Sequence, residues 1–173
     1  MYKRGFNMSK LEFFYDYGCP FCMRGYHALL ESLAKHPDIE VIWCPCDVNP
    51  LPEANPYSYN LGIQGFYFAQ EKGIDLFEYN TRVFQGANVD RVDRYDHAKF
   101  AEYVKDLLDP EELTEALRSG KYKEKQFEGN DYAYEQNGIW YIPALRMNGK
   151  KLDATGGLGI SEKELAKFLK KAK

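Results

Sequence analysis

Apolar positions change their spacing along the chain, and the changes mark out its elements. Residues 11–15, Leu-Glu-Phe-Phe-Tyr, form a short aromatic run bounded by polar and turn residues, which predicts a strand. Cys22, Tyr26, Leu29, Leu30 and Leu33 then fall at i, i+4, i+7, i+8 and i+11, one face of a helix that Pro37 ends. The β-branched run Ile-Glu-Val-Ile-Trp-Cys at 39–44 predicts a second strand, stopped by Pro45. Strand, helix and strand in close succession predict a right-handed parallel βαβ unit.

The far end of the chain has a different signature. In the stretch YIPALRMNGKKLDATGG, Asn148-Gly149 separates two strand-like runs, a strong local signal for a hairpin. Ser161 and Glu164 form a capping box ahead of Leu-Ala-Lys-Phe-Leu, which predicts a final amphipathic helix. The chain therefore closes as ββα.

Between these ends, residues 57–137 carry no convincing strand. GIDLFEYNTRVFQ, DHAKFAEYVKDLL and NDYAYEQNG show helical spacing, and Asp109-Pro110 with Glu112 is an N-cap followed by proline at the first helical position. Four or five helices are expected there. The fold class predicted is α/β: βαβ plus ββα around a four-stranded mixed sheet, one domain over 9–173 with an all-helical insertion at about 57–137.

Composition narrows the function. The chain has 173 residues, enough for one domain with a real core, and its 27 aromatics are the only unusual feature. A net charge of −3 provides no basic field for nucleic acid or an anionic membrane, and no apolar stretch is long enough to span a bilayer. The start, MYKRGFNMSK, is basic with no apolar run behind it. That pattern predicts a cytoplasmic protein without a secretory signal, with residues 1–7 left out of the fold and Met8 an alternative start.

Four cysteines in such a chain point to redox chemistry or metal rather than a disulfide scaffold. Cys19-Pro20-Phe21-Cys22 sits where the first strand passes into the first helix. With Cys19 as N-cap and Pro20 at the first helical position, the free N–H groups of Phe21 and Cys22 point at the Cys19 sulfur. Together with the helix dipole they favour thiolate. Cys22, one turn further in, lies on the apolar stripe and should face the sheet. One sulfur would be exposed and activated, its partner shielded, as a thiol–disulfide exchanger requires. Two other readings compete: packed, inert thiols, and a zinc site completed by Cys44 and Cys46, although C-x-C is tight for a tetrahedral knuckle. Packed thiols at a strand end are the plainer reading of Cys44 and Cys46. His27, His36 and His97 form no motif.

With βαβ, a ββα tail and CPFC at the first helix, the chain resembles thioredoxin-fold proteins. The helical insertion makes it similar to the DsbA-like oxidoreductases, including their FrnE-like branch; EFFYDYGCPFC and GIWYIPALRMNGKKLDATGG carry the likeness. The resemblance implies Cys19 as nucleophile and Cys22 as resolving cysteine. It also implies that Pro20, Phe21, Ile142 and Pro143 meet substrate, with Ile142-Pro143 as the cis-proline element, and that Glu12 is a candidate proton relay. The dipeptide departs from the Pro-His of the periplasmic oxidants, and Glu12 lies one residue further from Cys19 than the family's buried acid. The function expected is thiol–disulfide exchange on a protein or small-molecule disulfide or dithiol, glutathione among the candidates, with no metal and no organic cofactor. The alternatives are a glutathione-dependent isomerase or transferase of the same superfamily, and a zinc-stabilised or redox-inert binding module.

Overall fold

The computed structural model describes residues 8–48 and 58–173. The extension read at residues 1–7 and the first residue of the expected insertion lie outside them. A four-stranded sheet runs in the order β2-β1-β3-β4. β1 (Ser9–Tyr15) pairs in parallel with β2 (Ile39–Pro45) on one side and antiparallel with β3 (Ala144–Met147) on the other, and β3 pairs antiparallel with β4 (Lys150–Asp153). β1 is thus the central strand on which both halves of the chain meet, and its Leu11, Phe13, Phe14 and Tyr15 are completely buried or nearly so.

Pro45 does not stop β2 but is its last residue, opposite Tyr15. β2 is an edge strand, where a missing N–H costs no ladder bond. The β3–β4 turn is the expected hairpin. Met147 pairs with Lys150, and Asn148 and Gly149 both take positive φ, 49° and 73°, as a two-residue primed turn requires.

α1 (Pro20–Leu33) and α7 (Glu162–Ala172) pack together. α1 ends at Leu33, short of Pro37, its last turn tightening through Lys35 N–H to Ser32 O and His36 N–H to Leu33 O. The stripe on α1 turns inward as its spacing predicts: Cys22, Tyr26 and Leu29 are fully buried. At α7 both arms of the capping box form between Ser161 and Glu164.

Between β2 and β3 lie α2 (Asn60–Glu71), α3 (Leu76–Asn88), α4 (His97–Tyr103), α5 (Pro110–Ser119) and α6 (Lys123–Asp131), followed by a π-helical turn, Tyr132–Gln136. Asp109 caps α5 through the N–H groups of Glu111 and Glu112, and Gly120 ends it in the left-handed region. α4 is shorter than its apolar spacing suggests: from Val104 the chain continues as turns to Leu108. α2 shows no amphipathic stripe because it is buried on almost every side. Gly62 makes that burial workable, since a Cβ there would lie 2.8 Å from both Tyr17 and Tyr59. Among the described residues no helix is long and apolar enough to cross a membrane.

Candidate active site

β1 leads into a turn before α1, and that turn sets the site. Asp16 Oδ1 accepts from the N–H of Gly18, and its carbonyl accepts from the N–H of Cys19. Cys19 thereby enters the N-cap position with extended backbone, φ −89° and ψ 114°, and its sulfur accepts from the N–H of Cys22 at 3.3 Å. Pro20 opens the helix, where a missing N–H is no loss.

The two sulfurs differ sharply in acidity. A hydrogen bond from the Cys22 thiol, joined by the N–H groups of Cys22 and Phe21, holds Cys19 below the ordinary thiol value against burial and the charge of Asp16. Burial pushes Cys22 well above that value, and the neighbouring Cys19 sulfur adds to the effect. The difference in exposure is smaller than the spacing suggests: Cys19 is 8% exposed and Cys22 wholly buried. Cys19 is instead reached through a groove of about 900 Å³, which it lines with Phe21, Tyr134, Trp140 and Ile142.

Topology brings the Ile142–Pro143 loop to this groove. Phe14 pairs with Ala144 at the end of β1 that feeds the dithiol turn, so the residues before β3 emerge beside α1. The Ile142–Pro143 bond is cis. Pro143 comes so close to α1 that a Cβ on Gly25 would lie 3.0 Å from its ring. On the other wall, the Arg24 guanidinium lies 5.1 Å from the centre of the Phe21 ring and donates to the Leu158 carbonyl at 3.0 Å. That pair ties Phe21 to the loop before α7. Trp140, which lines the groove, and Leu158, in the loop before α7, are 82% and 70% exposed.

Glu12 is not among these residues. Side chains alternate across a strand. Phe13 faces α1 and the Pro143 loop, whereas Glu12 and Phe14 both meet Tyr132, Glu12 as hydrogen-bond acceptor and Phe14 by ring stacking. The relay role expected of Glu12 therefore has no geometric support. The carboxylate that acts on both sulfurs is Asp16, fully buried and just beyond the strand. Asp16-Tyr17-Gly18 was the available signal, an Asx turn ahead of the N-cap. Trp140 and Tyr141, two large aromatics just before Ile142-Pro143, had left a similar trace.

Cys44 and Cys46 do not join the dithiol. Cys44 is half-buried at the β2 edge, while Cys46 is fully buried near Asp16 and Tyr134. Among the described residues no three Cys, His, Asp or Glu side chains are gathered as a metal site. A zinc site completed by Cys44 and Cys46 therefore lacks its donor set.

The chain is 28% identical to the uncharacterized protein YwbO of Bacillus subtilis, over 93% of this chain and 98% of that protein. The fold is similar to that of BdbD from Bacillus subtilis, with a TM-score of 0.74 and 15% identity over 95% of this chain and 86% of that one. It is also similar to that of Pseudomonas aeruginosa DsbA, with a TM-score of 0.63 and 17% identity over 98% and 84%. At such identities these structures establish shared architecture alone. Residues 10–169 match the DSBA-like thioredoxin domain, a span that takes in the βαβ unit, the helices and the ββα tail, and the protein belongs to that family.

Proposed function

We propose that the protein is a thiol–disulfide oxidoreductase that works through Cys19 and Cys22, with polypeptide disulfides or dithiols as substrates. The observation that carries this reading is the unequal pair: a low-pKa sulfur at a helix N-cap on a groove, next to a high-pKa sulfur one turn inside. The Cys19 thiolate attacks one sulfur of a substrate disulfide, forming a mixed disulfide, and the released substrate thiolate takes a proton. Cys22 then loses its proton and attacks the Cys19 sulfur. The second substrate thiolate leaves, and the enzyme holds a Cys19–Cys22 disulfide. Run backwards, the same steps oxidise a substrate dithiol and reduce the enzyme.

The groove suits an extended peptide. Phe21 and Ile142 line it beside Cys19, exposed Trp140 supplies apolar surface, and the main chain at Ile142 can pair with a strand-like segment. Pro20 is exposed at the helix start, where substrate would arrive.

Reduction of insulin disulfides by the purified chain tests the reading directly. Turnover that Cys19→Ala abolishes is expected; turnover unaffected by either cysteine substitution would overturn it. The N-cap hydrogen bonds place the Cys19 titration below the free-thiol value of about 8.5. The pair should then have a reduction potential between about −270 and −120 mV. A glutathione-dependent isomerase would differ by keeping its activity without Cys22.

A further inference from the structure

Behind the dithiol lies a buried polar cluster that the exchange steps leave unused. Ser58 Oγ lies 2.8 Å from Asp16 Oδ2 and 2.8 Å from Asn60 Oδ1, and against Asp47 Oδ1 as well. Asp16 and Asp47 are both buried. Asp16 also accepts from the N–H groups of Gly18, Val48 and Tyr59, and Asp47 Oδ2 from the amides of Gln126 and Asn130.

A hydroxyl has one proton to donate. Turning the Asn60 amide over would present its NH2 group to Ser58, but no rotation makes a carboxylate a donor. With Ser58 donating to one carboxylate, the other satisfies the contact only as a carboxylic acid donating to Oγ. Of two buried carboxyls joined in this way one has to carry a proton, and burial favours it on Asp16.

The charge sits where it matters. The carbonyl of Asp16 takes the Cys19 N–H, its own N–H favours the Cys22 thiolate, and its carboxylate opposes ionisation of both sulfurs. Among the described residues, the other titratable groups around Asp16 include Cys46 and Asp47 after β2, and Tyr134 from the π-helical turn. We propose that Asp16 holds a proton against Ser58, whose own hydroxyl donates to Asp47, and that the charge Asp16 gains on losing that proton governs how readily Cys19 and Cys22 ionise. Asp16 is then a positioning residue for the exchange reaction, acting through the sulfurs rather than on substrate. Burial pushes Asp16 up to about 6, so its charge appears behind the dithiol as pH rises through that value.

The inference rests on the dithiol reading above but is tested without substrate. Thiolate absorbance of the reduced full-length chain is followed against pH for the wild type, Asp16→Asn and Ser58→Ala. Asp16→Asn removes the opposing charge, and the Cys19 ionisation constant is expected to rise about tenfold, with no inflection near the Asp16 titration. Ser58→Ala keeps both carboxyls but not the bridge, so the inflection is expected to move. A folded Asp16→Asn variant whose Cys19 titrates like the wild type would overturn the proposal. Where Asp16→Asn does not fold, a Ser58→Ala curve superimposing on the wild type overturns it. Shifted titrations in a protein that exchanges no disulfides would support this inference while overturning the proposed function.

Discussion

Two closely spaced cysteine pairs lie near the same end of the sheet, and only one of them contains a sulfur held below the ordinary thiol value. Cys19 and Cys46 are both buried, at 8% and 0% exposure, so burial does not separate them. Hydrogen-bond donors do. Cys19 sits at a helix N-terminus, where the Cys22 thiol and the first free amides stabilise its thiolate. Cys44 and Cys46 lie at the end of β2, where the Cys46 N–H is committed to the Tyr15 carbonyl and the Tyr134 hydroxyl beside the Cys46 sulfur does not offset its burial. Burial pushes Cys44 up to about 12 and Cys46 well above the ordinary thiol value, and the charges of Glu12 and Asp16 add to this. A thiol becomes a nucleophile through the donors the backbone can spare it, and a helix start spares them where a strand end does not.

The largest effect expected is all-or-none. Cys22→Ala retains the activated sulfur without its resolving partner and should accumulate mixed disulfides with substrate, whereas Cys19→Ala should trap almost nothing. Alkylation quench and non-reducing gels measure this. Equal trapping by both variants would erase the distinction between the sulfurs of the first pair.

Asp16 stands between the two pairs, since its charge acts on Cys19, Cys22 and Cys46 alike. Its folded-state pKa is raised from 3.8 to about 6, so the native state binds this proton more tightly than the unfolded chain does. Its contribution to stability is therefore complete below the ordinary value and lost as pH rises through about 6. Against Asp16→Asn, which has no such proton, the reduced wild type should lose about 3 kcal/mol of relative stability over that window. Urea unfolding of both proteins at several pH values measures the gap; a gap independent of pH would show that Asp16 titrates normally.

A third test puts the two pairs in direct competition. At neutral pH the thiolate fraction of Cys19 should exceed that of Cys44 by at least about a thousandfold, and the lower nucleophilicity of the more acidic thiol returns roughly half of that on a logarithmic scale. Alkylation of Cys19 about thirtyfold faster than Cys44 is expected by mass spectrometry under limiting iodoacetamide. Comparable rates would break the comparison at its root. The smallest effect belongs to Cys46→Ala. It removes a buried sulfur and should cost about 0.5–3 kcal/mol in chemical denaturation, while the exchange rate stays within about twofold of the wild type. A collapse in exchange would give the second pair a chemical part after all.

Much of this site could be read locally, because its parts are local. Cys19 as N-cap, Pro20 at the first turn and Cys22 on the buried stripe follow from three consecutive φ/ψ choices and a helical period, and the structure has all three. The Asn148-Gly149 hairpin, the Asp109-Pro110 start and the Ser161–Glu164 box are local in the same sense. Other features needed the assembled sheet. A strand turns over at every residue, so the single step between Glu12 and Phe13 decided which one faces α1. The run 11–15 is apolar at nearly every position, so its pattern could not show that choice. α2 was hidden for a related reason: a helix buried on most sides has no polar face to mark its period. The approach of Pro143 to Gly25 depends on β3 lying antiparallel to β1, more than a hundred residues away in sequence. The meeting of Asp16, Asp47 and Ser58 depends likewise on three segments converging. Backbone preference and hydrogen-bond valence act between neighbours in sequence, and they specified the dithiol; desolvation and charge act between neighbours in space, and only the packed chain determined which carboxylate stands behind it.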